Sequence, residues 1–575
     1  MSQGKKTNLD LFQDSTIPEV FFNSVSAFSD SWAMAYYANE KWSGITYQKL
    51  AEEVLGLAKG LVKLGIQKGQ KVGILSENRP EWGMAYLAIL QAGAVVVPID
   101  SLLKPAEIIN IINQSETQII FVSSKHSPKL KEVLSPGQHL KAVILIDEGG
   151  ALENSLKFSD LTAKGRGLHT TLPTLKNTDL AEIIFTSGTT GNSKGVMLTH
   201  KNILSDIWGI KKLLKLYPKD NFLSVLPLNH VFESTCGFLT PLFSGAQITY
   251  ARSLKSKELL EDIKGNKITL VLGVPLLYEK IFLGIKNAVS KKGLATKLYF
   301  NISFHLTKSL KILFGFNLGR FIFKSLRQKA GLSSLRLLVC GGAPLPAYIA
   351  EGFDLIGIKF LQGYGLTETS PVLTLNPLEK PKYASVGKPI LGVELKINNP
   401  DQKGIGEIIA RGDMIMSGYY QKPDATSQVL KDSWFYTGDS GWVDSEGYFY
   451  ICGRIKNVIV TAAGKNIYPE EIENELLESP FIAEVLISGK KIENREEVYA
   501  MVVPNYEYFE EKLGDLTTPN HYIQKIIKEE INKCCANLAE YKRVKGFEIR
   551  EQEFEKTPTK KIKRFTISDH RSVAD

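Results

Sequence analysis

Between Thr186 and Val196 the sequence reads Thr-Ser-Gly-Thr-Thr-Gly-Asn-Ser-Lys-Gly-Val, directly after the apolar run Ile183 to Phe185. Glycines, Gly188 and Gly191 among them, free the backbone to curl. The hydroxyls of Thr186, Ser187, Thr189 and Thr190 and the loop amides can face an anion, and Lys194 adds a point charge. In physical terms this is a cradle for phosphate. It is not a Walker loop, because no Gly-Lys-Ser/Thr follows a glycine at that spacing. A bare Ser/Thr/Gly-rich turn has the same composition, so the loop alone does not decide between the two readings.

Five further segments carry polar residues at suggestive places: Gly341-Gly342-Ala343-Pro344, Gln362-Gly363-Tyr364-Gly365-Leu366-Thr367-Glu368-Thr369, Tyr436-Thr-Gly-Asp439, Gly453-Arg454-Ile-Lys456 and Pro558-Thr-Lys-Lys561-Ile-Lys-Arg564. Each has a bland reading. Glu368 could be a solvated loop acid, Asp439 a turn-capping aspartate, and the lysines around Lys561 a basic tail. Together with the phosphate cradle, in this order, the six motifs resemble the adenylate-forming enzymes (the acyl-CoA synthetase and luciferase-like superfamily). The likeness runs over nearly the whole chain. Within that superfamily, Leu226 to Glu233 (LPLNHVFE), Val274 to Lys280 and the long segment before Gly331 are most similar to long-chain fatty acid–CoA ligases.

The resemblance implies two half-reactions: a carboxylate attacks the α-phosphorus of ATP to give acyl-AMP and pyrophosphate, and a thiol then displaces AMP. Joining two anions calls for concentrated positive charge and a metal. Thr186, Ser187, Thr189, Thr190 and Lys194 would hold the β- and γ-phosphates, Glu368 would hold Mg2+, and Thr367 would donate to the α-phosphate. Asp439 would accept from two ribose hydroxyls, with Arg454 touching ribose or phosphate. Adenine would lie against Gly341 to Pro344 and Tyr364, with Gln362, Gly363 and Gly365 in the same slot. Lys561 would bridge the carboxylate and the α-phosphate, although Lys560 stands where the family more often has glycine, so the two lysines compete for the role. Lys456 would be the hinge about which a C-terminal domain swings, bringing Gly464 and Lys465 to the thiol's path. His230 and Phe232 would lie at the acyl entrance, where a packed histidine is an equal alternative to a gate.

These residues need a scaffold, and 575 residues exceed what one core organises. Short β-branched runs (KVGIL, AVVVPI, QIIFVSS, KAVILID, LRLLVCGGAP) alternate with helical patterns, which predicts parallel-sheet α/β subdomains. Met84 to Ile99 reads as a buried helix, a turn and a strand. From about 387 to 450 short strands divided by glycine and proline turns predict a small β-barrel. Beyond 453 the pattern predicts an α+β domain with a helix at Pro469 to Leu477, strands at Val485 to Ser488 and Val498 to Val503, and a helix near Ile523 to Leu538. The expected organisation is therefore an N-terminal AMP-binding domain over 1–452, a hinge at 453–457 and a smaller, mobile C-terminal domain over 458–575.

Composition narrows the function. Five cysteines include no CxxC pair and eight histidines show no HxxxH or HExxH spacing, which argues against a disulfide scaffold or a zinc site; if a metal acts, it is expected to be an oxygen-bound one. The start of the chain has no apolar run of a secretory signal, so a cytoplasmic protein is expected. A net charge of +9 could suggest nucleic acid, but no reading motif is present. The charge is concentrated: Lys280 to Ala350 holds twelve lysines and arginines and no acid, interleaved with aromatic and aliphatic residues. That mixture suits amphipathic helices on the inner face of a membrane, and equally an ordinary helix with its aromatics turned inward. The expected cofactors are ATP, Mg2+ and coenzyme A, and the expected partners a long-chain fatty acid with coenzyme A or acyl carrier protein. A non-catalytic lipid- or nucleotide-binding protein of the same fold is the competing class.

Overall fold

The computed structural model describes residues 12, 14–134, 140–149, 152, 154–186, 193–460, 465–492, 495–513, 520–556 and 562–564. Contacts divide the chain into two compact units, one of Met1–Thr186, Ser193–Glu394 and Ala410–Phe435, the other of Ser187–Asn192, Leu395–Ile409 and Tyr436–Asp575.

The first unit is built on two large sheets. In the eight-stranded sheet, Leu180–Thr186, Val95–Ile99, Lys71–Leu75, Ile119–Val122, Ala142–Leu145 and Leu156–Lys157 run parallel in that order. Lys194–Thr199 pairs antiparallel with Leu180–Thr186, and Gly418–Tyr419 closes that edge. In the nine-stranded sheet, Lys359–Gly365, Leu337–Cys340, Leu270–Gly273, Asn221–Ser224, Gln247–Tyr250 and Trp32–Ala38 form the parallel run. Central strands such as Val95–Ile99, Ile119–Val122 and Leu337–Cys340 are apolar along their whole length, as suits strands covered on both faces, and the four residues Leu337–Cys340 are all buried. Two helices that link one sheet to the other start where the sequence supplies caps: the Thr46 hydroxyl accepts from the Lys49 amide at the head of Tyr47–Lys63, and Thr199 and Asn202 cap each other at the head of His200–Leu213.

The acid-free segment lies within the first unit. The helix Leu294–Phe314 buries Phe300, Ser303 and Thr307, and Phe300 packs on Phe304 and Phe323. Four of its twelve cations are spent internally: Lys308 pairs with Glu351 (2.9 Å), Lys311 with Asp354 (2.6 Å) and Arg336 with Asp220 (2.5 Å), while buried Arg327 donates to the carbonyls of Gly319 and Ile356. Part of the segment is therefore the ordinary packed helix that the sequence allowed.

The strands Gly406–Arg411 and Phe449–Arg454 flank Trp434–Val443 in a small antiparallel half-barrel, most of whose residues belong to the second unit. A three-stranded sheet of Ile482–Ile492, Arg495–Pro504 and Gly546–Ile549 carries the helices Pro469–Leu476 and Asn520–Cys534. Ile472, Val485, Val502, Ile527 and Ile531 share one core there, which gives this α+β piece its own hydrophobic centre. Among the described residues no helix is long and apolar enough to cross a membrane.

Candidate active site

Lys194 stands at the start of its strand, opposite Thr186 across the antiparallel pair, and the Thr186 hydroxyl donates to the Lys194 carbonyl (3.4 Å). The cradle residues Ser187, Gly188, Thr189, Thr190 and Gly191 lie outside the described residues. The two flanks of the loop are thus fixed by one strand pair. Its far flank is held further, because the Lys422 ammonium donates to the Ser193 carbonyl (2.8 Å) and the Tyr420 amide to the Gly195 carbonyl (2.7 Å).

The Lys194 ammonium lies over the ring of Tyr419, 4.7 Å from its centroid, and the Tyr419 hydroxyl donates to Glu368 Oε1 at 2.9 Å. One aromatic side chain therefore connects the candidate phosphate lysine to the candidate metal carboxylate. Glu368 sits with Thr367 in the turn Thr367–Thr369 that follows the strand Lys359–Gly365. The turn is tied down on every side. The Leu366 amide donates to Thr369 Oγ1 (3.0 Å), the Thr369 hydroxyl donates to the Pro371 carbonyl (2.6 Å), and the Met416 amide donates to the Glu368 carbonyl (2.9 Å). Gly365 is obligatory, since a Cβ there would fall 1.8 Å from the Pro371 oxygen. Asp206 accepts the Val372 amide (3.1 Å) from below, and burial pushes its carboxyl well above the ordinary range.

Glu368 fits a magnesium ligand by its surroundings. Among the described residues Tyr419 is the only side chain bonded to its carboxylate, and no group of three or more His, Cys, Asp or Glu side chains could hold a metal on its own. A hard cation that brings its other oxygen ligands as phosphate and water needs no more than this from the protein.

The adenine-slot candidates occupy the carboxyl ends of two adjacent parallel strands, where ligands bind in open α/β sheets. Cys340 pairs with Gln362, so the turn Gly341–Pro344 and the strand end Gly363–Gly365 follow from neighbouring register positions. Gln362 is buried, and its Oε1 has no hydrogen-bond partner among the described residues. Phe232 packs directly on Gly341: a Cβ at 341 would lie 3.2 Å from the Phe232 ring. The candidate acyl-entrance residue and the candidate adenine turn are therefore in contact.

Phe232 opens a π-helical stretch, Phe232–Leu239, a wide-turn geometry found often at functional sites. His230, just before it, has Nε2 4.0 Å from Asp100 Oδ2 and is partly exposed. Glu233 behind it is fully buried, accepts from the Ser224 hydroxyl (2.6 Å), and is pushed up to about 8 by burial, with the Ser224 bond opposing. It enters the neutral pH range protonated.

In the second unit Asp439 and Arg454 face each other across the pair Trp434–Val443 and Phe449–Arg454. Arg454 Nε lies 2.8 Å from Asp439 Oδ1, and its Nη1 donates to the Thr437 carbonyl (3.2 Å). Thr437 Oγ1 accepts the Asp439 amide (3.0 Å), fixing the turn that aims the carboxylate. Lys456 lies exposed in the turn Ile455–Asn457, and Lys465 lies over the ring of Tyr541 at 4.7 Å. Gly464, Lys560 and Lys561 lie outside the described residues. Residues on both sides of Lys561 are anchored: Lys556 bridges to Ile562 and pairs with Glu484, while Arg564 pairs with Glu473 and donates to the Ile487 carbonyl (2.9 Å). Lys556 and Arg564, the outer members of the basic cluster, are therefore not freely solvated.

Tyr419, Asp206 and Asp100 were not singled out by sequence. None belongs to a motif, and Tyr419 reaches Glu368 only because Gly418–Tyr419 pairs with Val196–Met197 at the sheet edge.

A family model described as AMP-binding enzyme matches residues 21–420. The chain belongs to the AMP-binding, adenylate-forming enzymes. Among curated relatives, the long-chain-fatty-acid–CoA ligase FadD15 of Mycobacterium bovis is 30% identical, with 92% of this chain and 91% of that one covered. The chloroplastic long-chain-fatty-acid–[acyl-carrier-protein] ligase AEE15 of Arabidopsis thaliana is 28% identical, covering 90% of this chain and 80% of that one. The solved anthranilate CoA ligase AuaEII, in complex with anthranoyl-AMP, superimposes with a TM-score of 0.79 at 22% identity over 99% of both chains. As an AMP-binding enzyme, this protein is an acyl-adenylate-forming ligase of the AMP-forming acid–thiol class.

Proposed function

We propose that the protein activates a long-chain fatty acid with ATP and Mg2+ and passes the acyl group to coenzyme A. In the first step a carboxylate oxygen attacks the α-phosphorus and the bond to pyrophosphate breaks. In the second the thiol sulfur attacks the acyl carbonyl and the bond to AMP breaks. The observation that carries the reading is the Lys194–Tyr419–Glu368 line beside the Thr186–Lys194 strand pair: a cation, a positioning phenol and a carboxylate at the flanks of a hydroxyl-rich loop.

Lys194 and the hydroxyls of Thr186, Ser187, Thr189 and Thr190 bind the β- and γ-phosphates, Thr367 donates to the α-phosphate, and Glu368 holds Mg2+. When bound, the metal supplies positive charge at phosphate oxygens. Asp439 accepts the ribose hydroxyls while Arg454, 2.8 Å from its Oδ1, orients the carboxylate. Gln362 offers its unpartnered oxygen to the adenine amino group. The N-terminal domain spans 1–452, residues 453–457 with Lys456 form the hinge, and the domain over 458–575 delivers Lys561 for adenylation and then Gly464 and Lys465 for the thiol. Long-chain specificity rests on the 30% identical mycobacterial relative. Acyl carrier protein as acceptor is the second reading, favoured by a relative of nearly equal identity.

Lys561→Ala is expected to lose acyl-AMP formation while still converting supplied acyl-AMP to thioester. Equal loss of both half-reactions would remove the division of labour. Thioester formed with coenzyme A, and not with carrier protein, supports the first acceptor over the second.

A further inference from the structure

A helix packed on a globular core normally turns polar residues to water. The helix Leu294–Phe314 does the reverse. Opposite its buried stripe of Phe300, Ser303 and Thr307 runs a stripe of Leu294, Leu298, Ile302 and Leu306, spaced four residues apart and all exposed, Leu294 at 86%. Further exposed apolar side chains stand in the last turn of the helix, Ile312 and Phe314, and beyond it, Phe316 and Phe321, the last at 77%. A contiguous apolar patch on this scale marks an interaction site.

The charges around it are equally one-sided. With Lys308, Lys311, Arg327 and Arg336 spent internally, Lys280, Lys286, Lys291, Lys292, Lys297, Arg320, Lys324 and Lys329 remain, every one exposed. No acid occurs between Lys280 and Ala350. Of the acids just beyond, Glu351 pairs with Lys308 and buried Asp354 with Lys311 and Lys359, while Glu279, beside Lys280, is half-buried with its carboxyl pushed up by burial.

We infer that this face docks on an anionic lipid bilayer, with Leu294–Phe321 entering the headgroup boundary and the flanking cations meeting lipid phosphates. Charge complementarity selects anionic lipid, and the exposed phenylalanines suit the apolar side of an interface better than a hydrated acidic protein. The docking builds on the long-chain reading only for its benefit, access to an acid that partitions into bilayers.

The test is cosedimentation of the full chain, without acid or nucleotide, with vesicles of phosphatidylglycerol and phosphatidylcholine or of phosphatidylcholine alone, at low and high salt. Binding to anionic vesicles that fades as salt rises is expected. Each lysine near an anionic leaflet is worth a factor of about five, so Lys291, Lys292 and Lys297 changed together to Gln should weaken binding on the order of 100-fold. Leu298, Ile302 and Leu306 changed together to Ser should weaken it at low salt as well. All six side chains are exposed, so both variants should keep the parent's melting curve. The proposal is overturned if the parent stays in the supernatant at low salt, if either variant binds as the parent does, or if the Ser variant abolishes a concentration-dependent dimer while vesicles go unbound, which would make the face an interface between copies. Since no substrate is present, the outcome is independent of acyl specificity.

Discussion

Glu368 and Asp439 are both motif carboxylates, and their surroundings differ in the one respect that matters. Glu368 is half-buried, and its bonded side chain among the described residues is the neutral Tyr419 hydroxyl. Asp439 is nearly buried and pairs with the Arg454 guanidinium. A carboxylate whose charge is left uncompensated recruits a cation, while one already neutralised has lone pairs to spend on uncharged hydroxyls. On the function proposed above, the same functional group serves a metal in one unit and a sugar in the other by virtue of its neighbour.

Removing the uncompensated charge should cost most. Glu368→Gln keeps the volume and should lower adenylation by more than about 1000-fold while weakening its Mg2+ dependence, several kcal/mol of charge stabilisation being lost. An unchanged Mg2+ titration would reassign the residue. Tyr419→Phe, which removes only the orienting hydroxyl, should cost no more than about 10-fold.

Lys194→Met should follow at ~2.7 to 4 kcal/mol of transition-state stabilisation, measured as the rate of pyrophosphate release, with acyl binding little altered. A parent-like rate would make Lys194 a surface lysine. Asp439→Asn should raise the KM for ATP by about 10- to 100-fold, the worth of hydrogen bonds to a charged acceptor, with the Mg2+ titration unchanged. A shifted titration would break the contrast between the two carboxylates.

The smallest effect on catalysis is expected at a third carboxylate. Glu233 has neither cation nor arginine and is held neutral by burial, its pKa raised from 4.5 to about 8. Its folded value lies above its unfolded one, so the associated stability is present at pH below about 4.5 and is lost as pH rises through about 8. Glu233→Gln should flatten this part of the melting temperature's pH dependence. An unaltered profile would show that another group titrates there.

Much of the scaffold can be read from periodicity. KVGIL, AVVVPI and LRLLVC become Lys71–Leu75, Val95–Ile99 and Leu337–Cys340, because strands covered on both faces must be continuously apolar. The helix read at Pro469 to Leu477 is Pro469–Leu476, and that near Ile523 to Leu538 is Asn520–Cys534, continuing in a short turn. Juxtapositions are a different matter. Nothing local to Tyr419 signals that it joins Lys194 to Glu368, since both contacts depend on a sheet-edge pairing more than 200 residues long in sequence. Nor does the lysine count between 280 and 350 reveal which cations are spent, since Lys311 is fixed by Asp354 and Tyr383, residues of later elements.

The central claim is that a carboxylic acid is adenylated at the Lys194–Glu368 site. The direct measurement is acid-dependent exchange of labelled pyrophosphate into ATP, without any thiol, across a panel of chain lengths. Exchange that is strongest with long-chain acids and lost in Glu368→Gln is expected; absence of exchange with every acid, or exchange undiminished in that variant, would contradict the claim.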